Sequence, residues 1–142
     1  MKELQNITRE TFPKSEKTAE GMIELIPVID NYEMNYIRDI SYIKRGDREL
    51  FIQLLLPDGV SEKTPLIVYV TGSAFYWQNI PQTLPRLCLL VNKGFAVASV
   101  EYRGVEIAPF PMQISDVKAA VRFLKIHASD YGLSKDNLFL MG

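Results

Sequence analysis

Cysteine and histidine are almost absent from this chain, and each shortage excludes a kind of chemistry. Cys88 is the single cysteine, so no internal disulfide can form, which is typical of a reducing compartment. His127 is the single histidine, and no group of Cys, His and carboxylate residues has the spacing of a metal site. No glycine-rich phosphate loop is present. The sequence therefore predicts no metal and no cofactor.

Long apolar runs and an excess charge are also lacking. No run approaches the roughly 18 apolar residues that a membrane span needs, and residues 1–6 are too polar for a secretory signal. The 16 basic and 17 acidic residues give a net charge of -1, which offers no electrostatic basis for binding nucleic acid. We therefore expect a cytoplasmic protein with neither membrane nor nucleic acid as a partner.

What is present suits one domain over residues 1–142. Hydrophobic residues make up 47% of the chain, and a chain of 142 residues can bury about 70% of its unfolded surface. Residues 1–20 are polar and are expected to form a loosely held arm. No internal repeat or low-complexity tract divides the remainder.

The first half of the remaining chain has the pattern of β-structure. Residues 36–44 and 49–56 are rich in Ile, Tyr, Phe and Leu, and the apolar residues of the second run alternate at period two. Arg45, Gly46 and Asp47 lie between them and predict a turn, so the pair is interpreted as an antiparallel hairpin. An Arg-Gly-Asp triplet can also mediate adhesion, but the turn is favoured without secretory features.

A change of pattern follows. Leu66–Val70 and residues 95–100 are continuous apolar runs, typical of strands covered on both faces. Residues 83–92 between them predict a helix with Pro85 in its first turn and Gly94 as its stop.

A longer helix is predicted after Pro111, and a third buried strand at Leu138–Met141. The helix has an apolar stripe at three- and four-residue spacing, formed by Ile114, Val117, Val121, Leu124 and Ala128. The order is a hairpin followed by β-α-β-α-β, which predicts an α/β protein whose parallel sheet has an antiparallel edge. Ligands bind such sheets beyond the carboxyl ends of the strands.

Four segments of the second half have a distinctive order and spacing: residues 101–103 (EYR), 108–114 (APFPMQI), 116–124 (DVKAAVRFL) and 130–142 (DYGLSKDNLFLMG). Together they resemble the α/β-hydrolase superfamily. The last is similar to the segment that leads into Gly-x-Ser-x-Gly in the esterase/lipase branch, which includes hormone-sensitive-lipase-like and feruloyl-esterase-like carboxylesterases. The resemblance covers residues 64–142 and implies a partial α/β-hydrolase fold that ends at the strand before the nucleophile.

The resemblance implies where the catalytic serine would lie. Gly142 matches the first glycine of the nucleophile turn, and the serine, acid and histidine follow that glycine in this family. The chain is therefore expected to be the N-terminal portion of a serine esterase acting on a small ester, inactive alone. Two alternatives stay open. In the first, Gly142 simply ends a strand. In the second, the chain is an inactive hydrolase-derived module for binding or oligomerisation.

The family's oxyanion loop, similar to His-Gly-Gly-Gly, matches residues 71–75 (TGSAF). Only Gly72 keeps the pattern. Ser73 and Ala74 would donate the two backbone N–H groups, although a Cβ at either position restricts the backbone if the loop needs a positive φ. Three aromatic residues are candidate pocket walls: Phe75, Tyr76 and Trp77. The alternative is a plain strand-to-helix loop with aromatic core residues.

The remaining notable residues predict structural roles. Arg103 and Asp116 are expected to form an ion pair between a loop and a helix start. His127 is expected at the surface near a helix end, and Cys88 in the core as an inert thiol. Leu138–Met141 would be an exposed apolar edge without a further strand, so a homodimer through this strand is a possible outcome.

Overall fold

A mixed five-stranded sheet forms the centre of the computed structural model, which describes residues 33–142. The predicted arm at residues 1–20 lies outside the described residues. In chain order the elements are β1 (Met34–Arg45), β2 (Arg48–Pro57), β3 (Leu66–Val70), α1 (Ile80–Val91), β4 (Ala96–Val100), α2 (Met112–Ile126), a short 3₁₀ helix (Ala128–Tyr131) and β5 (Leu138–Met141).

The predicted hairpin is confirmed. β1 and β2 pair antiparallel from Met34 opposite Pro57 to Arg45 opposite Arg48, and Gly46 takes a φ of +61° in the turn. Leu54 and Leu55 point to opposite faces of β2, yet both are buried. The reason is that β2 is an inner strand, with β1 on one side and β4 on the other.

The sheet order is β1-β2-β4-β3-β5, and the predicted α/β class is confirmed. β2 and β4 are antiparallel, whereas β3 is parallel to both β4 and β5. The two helices cover opposite faces of the sheet, since successive residues of a strand point to opposite faces and belong to two different hydrophobic clusters. Leu87 of α1 packs in a cluster with Val97, and Leu124 of α2 packs in a cluster with Val68.

Helix α1 differs from the prediction at its start. It begins at Ile80, three residues before the predicted start, so Pro81 rather than Pro85 occupies the first turn. Pro85 lies inside the helix, where it cannot donate a hydrogen bond to the carbonyl of Pro81. Burial of Leu87 and Val91 against the sheet holds the helix despite this loss. Gly94, with a φ of +88°, follows the end as expected.

Helix α2 buries the later part of the predicted stripe, with Leu124 in the core and Val121 packed against it, but not its beginning. Its buried residues are Gln113, Asp116, Ala120 and Leu124. Ile114 of the predicted stripe is exposed, because the first turn of α2 borders a cavity. The polar side chains of this part of α2 point inward instead, towards the loop that precedes the helix. Ala128 is buried but lies in the 3₁₀ helix.

Strand β5 pairs in parallel with β3, as predicted, but it is not buried. It lies at an edge of the described sheet, and its pairing runs from Leu138 opposite Leu66 to Met141 opposite Tyr69. Leu140 is 66% exposed. Only one side of β5 has a neighbouring strand among residues 33–142, which accounts for this exposure.

Candidate active site

A cavity of about 530 Å³ opens at the carboxyl ends of β3 and β5. Its walls are mostly apolar; the lining residues are Val70, Thr71, Gly72, Ser73, Ala74, Phe75, Tyr102, Gln113, Ile114, Val117, Lys118, Leu140 and Gly142. The position is the one that parallel α/β sheets favour for ligands. The structure thus brings residues 71–75 and Gly142, which are far apart in sequence, to one cavity.

The aromatic residues after Ala74 are not equivalent. Phe75 lines the cavity and makes an edge-to-face contact with Phe110, with 6.4 Å between ring centroids. Tyr76 and Trp77 are 61% and 60% exposed and do not contribute to the lining. Of the three candidate walls, the structure therefore places only Phe75 at the cavity.

The 71–75 loop has an unusual backbone. Ala74 and Phe75 have φ values of +50° and +66°, whereas the glycine of the loop, Gly72, has no positive φ. Left-handed backbone costs a non-glycine residue of order 1–3 kcal/mol and persists only where the surroundings enforce it. Such residues are concentrated at active sites and ligand clamps.

The same loop has backbone donors without acceptors. Among residues 33–142, the N–H groups of Ser73, Ala74 and Phe75 donate no hydrogen bond, while Tyr76 N–H donates to Ser73 O at 3.0 Å. Ser73 is half-buried, whereas Ala74 and Phe75 are exposed, so these N–H groups are open to solvent or to a ligand. Consecutive amides beside a cavity that have no acceptor within residues 33–142 are suited to binding an oxygen that carries negative charge.

Gly142 lies against the start of the loop. β5 runs beside β3, and a Cβ built on Gly142 would approach Val70 O to 3.4 Å. Val70 is the last residue of β3 and directly precedes the loop. A residue bonded to Gly142 would therefore begin next to the loop that carries the free amides.

Tyr102 is a site residue to which the sequence assigned no role. Its ring lines the cavity, and its hydroxyl donates to Thr71 O at 2.8 Å and lies 2.9 Å from Ser73 Oγ. Tyr102 belongs to the segment 101–103 that carries the family resemblance. Nothing in the sequence indicated that its hydroxyl contacts a loop 31 residues earlier.

Arg103 and Asp116 contact each other as expected. Arg103 donates from Nε and Nη2 to the two carboxylate oxygens at 2.8 and 2.9 Å, and Arg45 Nε is 3.3 Å from the same carboxylate. The hydrogen bond to Asp116 raises the pKa of Arg103 above its ordinary value. Since Asp116 is fully buried and does not line the cavity, this contact braces the segment after β4 against α2.

The remaining candidates lie outside the cavity. His127 Nδ1 is 2.8 Å from Asp130 Oδ2, and no serine hydroxyl hydrogen-bonds to a histidine within residues 33–142. Cys88 is half-buried on α1 rather than fully in the core. The described part of the chain has no group of His, Cys and carboxylate residues able to hold a metal ion, and no helix there is long and apolar enough to cross a membrane.

Helices on both faces of the sheet and a cavity at the carboxyl ends of its parallel strands are features of open α/β folds. Solved structures that match this chain show that the fold is part of an α/β-hydrolase fold. Residues 52–142, more than half of the chain, match the BD-FAE family, and the chain belongs to it. It is thus an esterase-like hydrolase domain.

Relatives and solved structures agree with this assignment. The chain is 27% identical over 106 residues to esterase LipQ of Mycobacterium tuberculosis, a match that covers 73% of this chain. A bacterial heroin esterase has a TM-score of 0.64 at 25% identity over 78% of this chain. A bifunctional GH43-CE protein of Bacteroides eggerthii has a TM-score of 0.64 at 34% identity over 74% of this chain.

The matched part is a minor share of each of these proteins. It amounts to 25% of LipQ, 35% of the heroin esterase and 15% of the GH43-CE protein.

Proposed function

We propose that this chain forms the oxyanion-binding and substrate-binding part of a serine hydrolase of small carboxylic esters. The observation that supports this most strongly is the 71–75 loop. It carries three amides without acceptors among residues 33–142, borders a largely apolar cavity and lies beside Gly142. Membership of the BD-FAE family and the likeness to esterases favour the same chemistry.

In the proposed reaction a serine oxygen attacks the ester carbonyl carbon while its proton passes to the histidine base, and the π electrons of the carbonyl move onto the carbonyl oxygen. The N–H groups of Ser73 and Ala74 stabilise that oxyanion, an effect for which one donor is typically worth about 10²- to 10³-fold in rate. Collapse of the intermediate expels the alcohol, protonated by a general acid, and leaves an acyl-serine. Water then releases the acid and restores the serine.

The nucleophile, acid and histidine are proposed to come from residues outside 1–142. Ser73 is the serine of the cavity lining, but its hydroxyl contacts Tyr102 and Tyr76 O rather than a base. The single histidine, His127, is paired with Asp130 and does not line the cavity. A serine following Gly142 after one intervening residue would lie close to the free amides.

The cavity limits the substrate. A volume of about 530 Å³ with mostly apolar walls suits a small ester and offers one charged lining group, Lys118. Phe75 and Ile114 would contact the apolar part of the substrate. The proposed reaction uses no metal ion and no cofactor.

The test compares residues 1–142 with the protein encoded when the reading frame is followed past codon 142. Each is treated with a fluorophosphonate probe, followed by intact-mass measurement, and assayed on p-nitrophenyl acetate. We expect labelling and hydrolysis only in the longer protein, at a serine two residues after Gly142. Labelling of the 16.2 kDa chain itself would contradict the proposal, because some serine among its own residues would then be activated.

A non-catalytic module for binding or oligomerisation is the second candidate. The exposed apolar edge at β5, with Phe139 and Leu140 facing solvent, favours it. Failure of both proteins to react with the probe would support this alternative over the esterase.

A further inference from the structure

We propose that Tyr102 and Gln78 act as positioning residues that hold the 71–75 loop in its strained conformation. This inference rests on the proposed function, since it concerns the same oxyanion-binding amides. We call the pair the Tyr102–Gln78 clamp. Both side chains are buried, and neither is charged.

Tyr102 holds the beginning of the loop. Its hydroxyl donates to Thr71 O at 2.8 Å and lies 2.9 Å from Ser73 Oγ. A phenol and a serine hydroxyl each have one proton to donate. The Tyr102 proton goes to Thr71 O, and the Ser73 proton goes to Tyr76 O at 2.6 Å. Tyr102, a rigid side chain just after β4, therefore fixes the loop at Thr71, and its hydroxyl oxygen lies against Ser73 Oγ.

Gln78 holds the end of the same turn and joins it to Tyr102. Its Oε1 accepts the backbone N–H of Tyr102 at 3.0 Å, and its Nε2 donates to Tyr76 O at 2.6 Å. The segment after β4 makes one more contact, since Val105 N–H donates to Phe75 O at 2.7 Å. The loop is therefore enclosed at Thr71, Phe75 and Tyr76 by residues that do not belong to it.

The backbone of the loop requires such support. Ala74 and Phe75 take left-handed φ values without being glycine, and nothing in their own sequence favours that conformation. The hydrogen bonds of the clamp lie on both sides of these two residues. Loss of the clamp would let the loop relax and turn the Ser73 and Ala74 amides away from the position of the oxyanion.

The kinetic test uses Tyr102→Phe in the longer, esterase-active protein. The substitution keeps the ring in the cavity wall and removes only the hydroxyl. We expect kcat to fall about 10- to 100-fold with KM changed less than about threefold, because misplaced donors weaken transition-state binding more than substrate binding. Gln78→Met removes both hydrogen bonds of the Gln78 side-chain amide, and it should likewise lower kcat with little change in KM.

Tyr42→Phe is the matched control. Tyr42 is also a buried tyrosine, and its hydroxyl donates to a backbone carbonyl, that of Glu101, at 2.6 Å, but it does not contact the loop. Tyr42→Phe should lower the melting temperature about as much as Tyr102→Phe does, but it should leave kcat unchanged. An unchanged kcat in Tyr102→Phe, or an equal loss in Tyr42→Phe, would overturn the proposal.

Amide hydrogen exchange tests the clamp without relying on catalysis. In residues 1–142, Tyr102→Phe should speed exchange of the Tyr76 and Val105 amides, which bond to loop carbonyls, by about tenfold or more, and Tyr42→Phe should not. Unchanged exchange in Tyr102→Phe would refute the clamp even in an active esterase. Faster exchange in a protein that hydrolyses no ester would instead refute the proposed function and keep the clamp.

Discussion

At the scale of single residues, Ala74 and Phe75 are the most informative positions. The resemblance to the esterase/lipase branch predicts an oxyanion loop at residues 71–75, and the structure places these residues at the cavity. The resemblance could not show which residues of the loop take a positive φ. Gly72 is the residue that keeps the family's glycine pattern, but the positive φ values fall on Ala74 and Phe75, because contacts from a distant segment determine the backbone there.

Ala74 offers a direct test of this strain. We expect Ala74→Val to destabilise the fold by roughly 1–3 kcal/mol, since a β-branched side chain is poorly tolerated at a φ of +50°. Ala74→Gly should leave the free energy of unfolding unchanged or raise it by up to about 1 kcal/mol. Urea titrations measure both. A valine variant as stable as the glycine variant would argue against a left-handed Ala74.

Asp116 is the second position with a sharp expectation. Asp116→Asn leaves Arg103 and Arg45 without a counter-charge next to a buried site, so the free energy of unfolding should fall by roughly 3 kcal/mol. Asp39→Asn is the control, because the ion pair between Asp39 and Arg38 is exposed and should be worth less than about 1 kcal/mol. Equal losses in the two variants would contradict a structural role for the buried carboxylate.

At the scale of elements, apolar patterns predicted the sheet better than the helices. The hairpin and the three parallel strands were predicted because alternation and continuous apolar runs are typical of strands. Burial was predicted correctly for β3 and β4 but not for β5, which is exposed at the edge of the described sheet. Helix α1 begins earlier than predicted because Pro81 can start a helix as well as Pro85 can. The face of α2 was misassigned at its first turns, where Gln113 and Asp116 are buried by polar contacts that hydrophobicity does not reveal.

Tyr42 of β1, whose hydroxyl donates to Glu101 O just after β4, predicts that stability depends on pH. Burial, followed by the nearby carboxylates of Asp116 and Glu101, raises the pKa of Tyr42 well above its ordinary value of 10.0. Above pH 10 the unfolded chain loses this proton while the folded chain keeps it. The unfolded state then binds fewer protons, so stability falls as pH rises, by up to about 1.4 kcal/mol per pH unit from this group.

Tyr42→Phe isolates that contribution. The variant should be about 1 kcal/mol less stable than the parent at pH 8, because it lacks the hydrogen bond to Glu101 O. The gap should narrow between about pH 10 and pH 11, since the phenylalanine has no proton to lose. Denaturant unfolding at several pH values measures the gap. A gap that stays constant over this range would contradict the raised pKa.

At the scale of the whole molecule, the described fold has an apolar edge at β5 next to the cavity. Edge strands with exposed apolar side chains pair readily with other strands. The structure shows that apolar side chains of β5 are exposed. Self-association of residues 1–142 through β5 stays a prediction. The sequence suggested this edge because Leu138–Met141 had the composition of a strand that is covered on both faces.

Sedimentation velocity tests the edge with a matched pair of variants. Residues 1–142 are expected to dimerise in a concentration-dependent way, and Leu140→Lys should abolish the dimer by placing a charge on β5. Ile126→Lys is the control, because Ile126 is 75% exposed but lies on α2, away from the edge. A monomer at high concentration, or equal effects of the two lysines, would contradict pairing through β5.

The central claim is that the free amides of the 71–75 loop bind the oxyanion of an ester substrate. The most direct measurement is the crystal structure of the longer protein after reaction with a phosphonate, whose P–O⁻ oxygen mimics the oxyanion. This oxygen should lie about 2.7–3.1 Å from both Ser73 N and Ala74 N. A covalent adduct whose oxygen lies more than roughly 4 Å from both amides, beyond hydrogen-bond distance, would contradict the account.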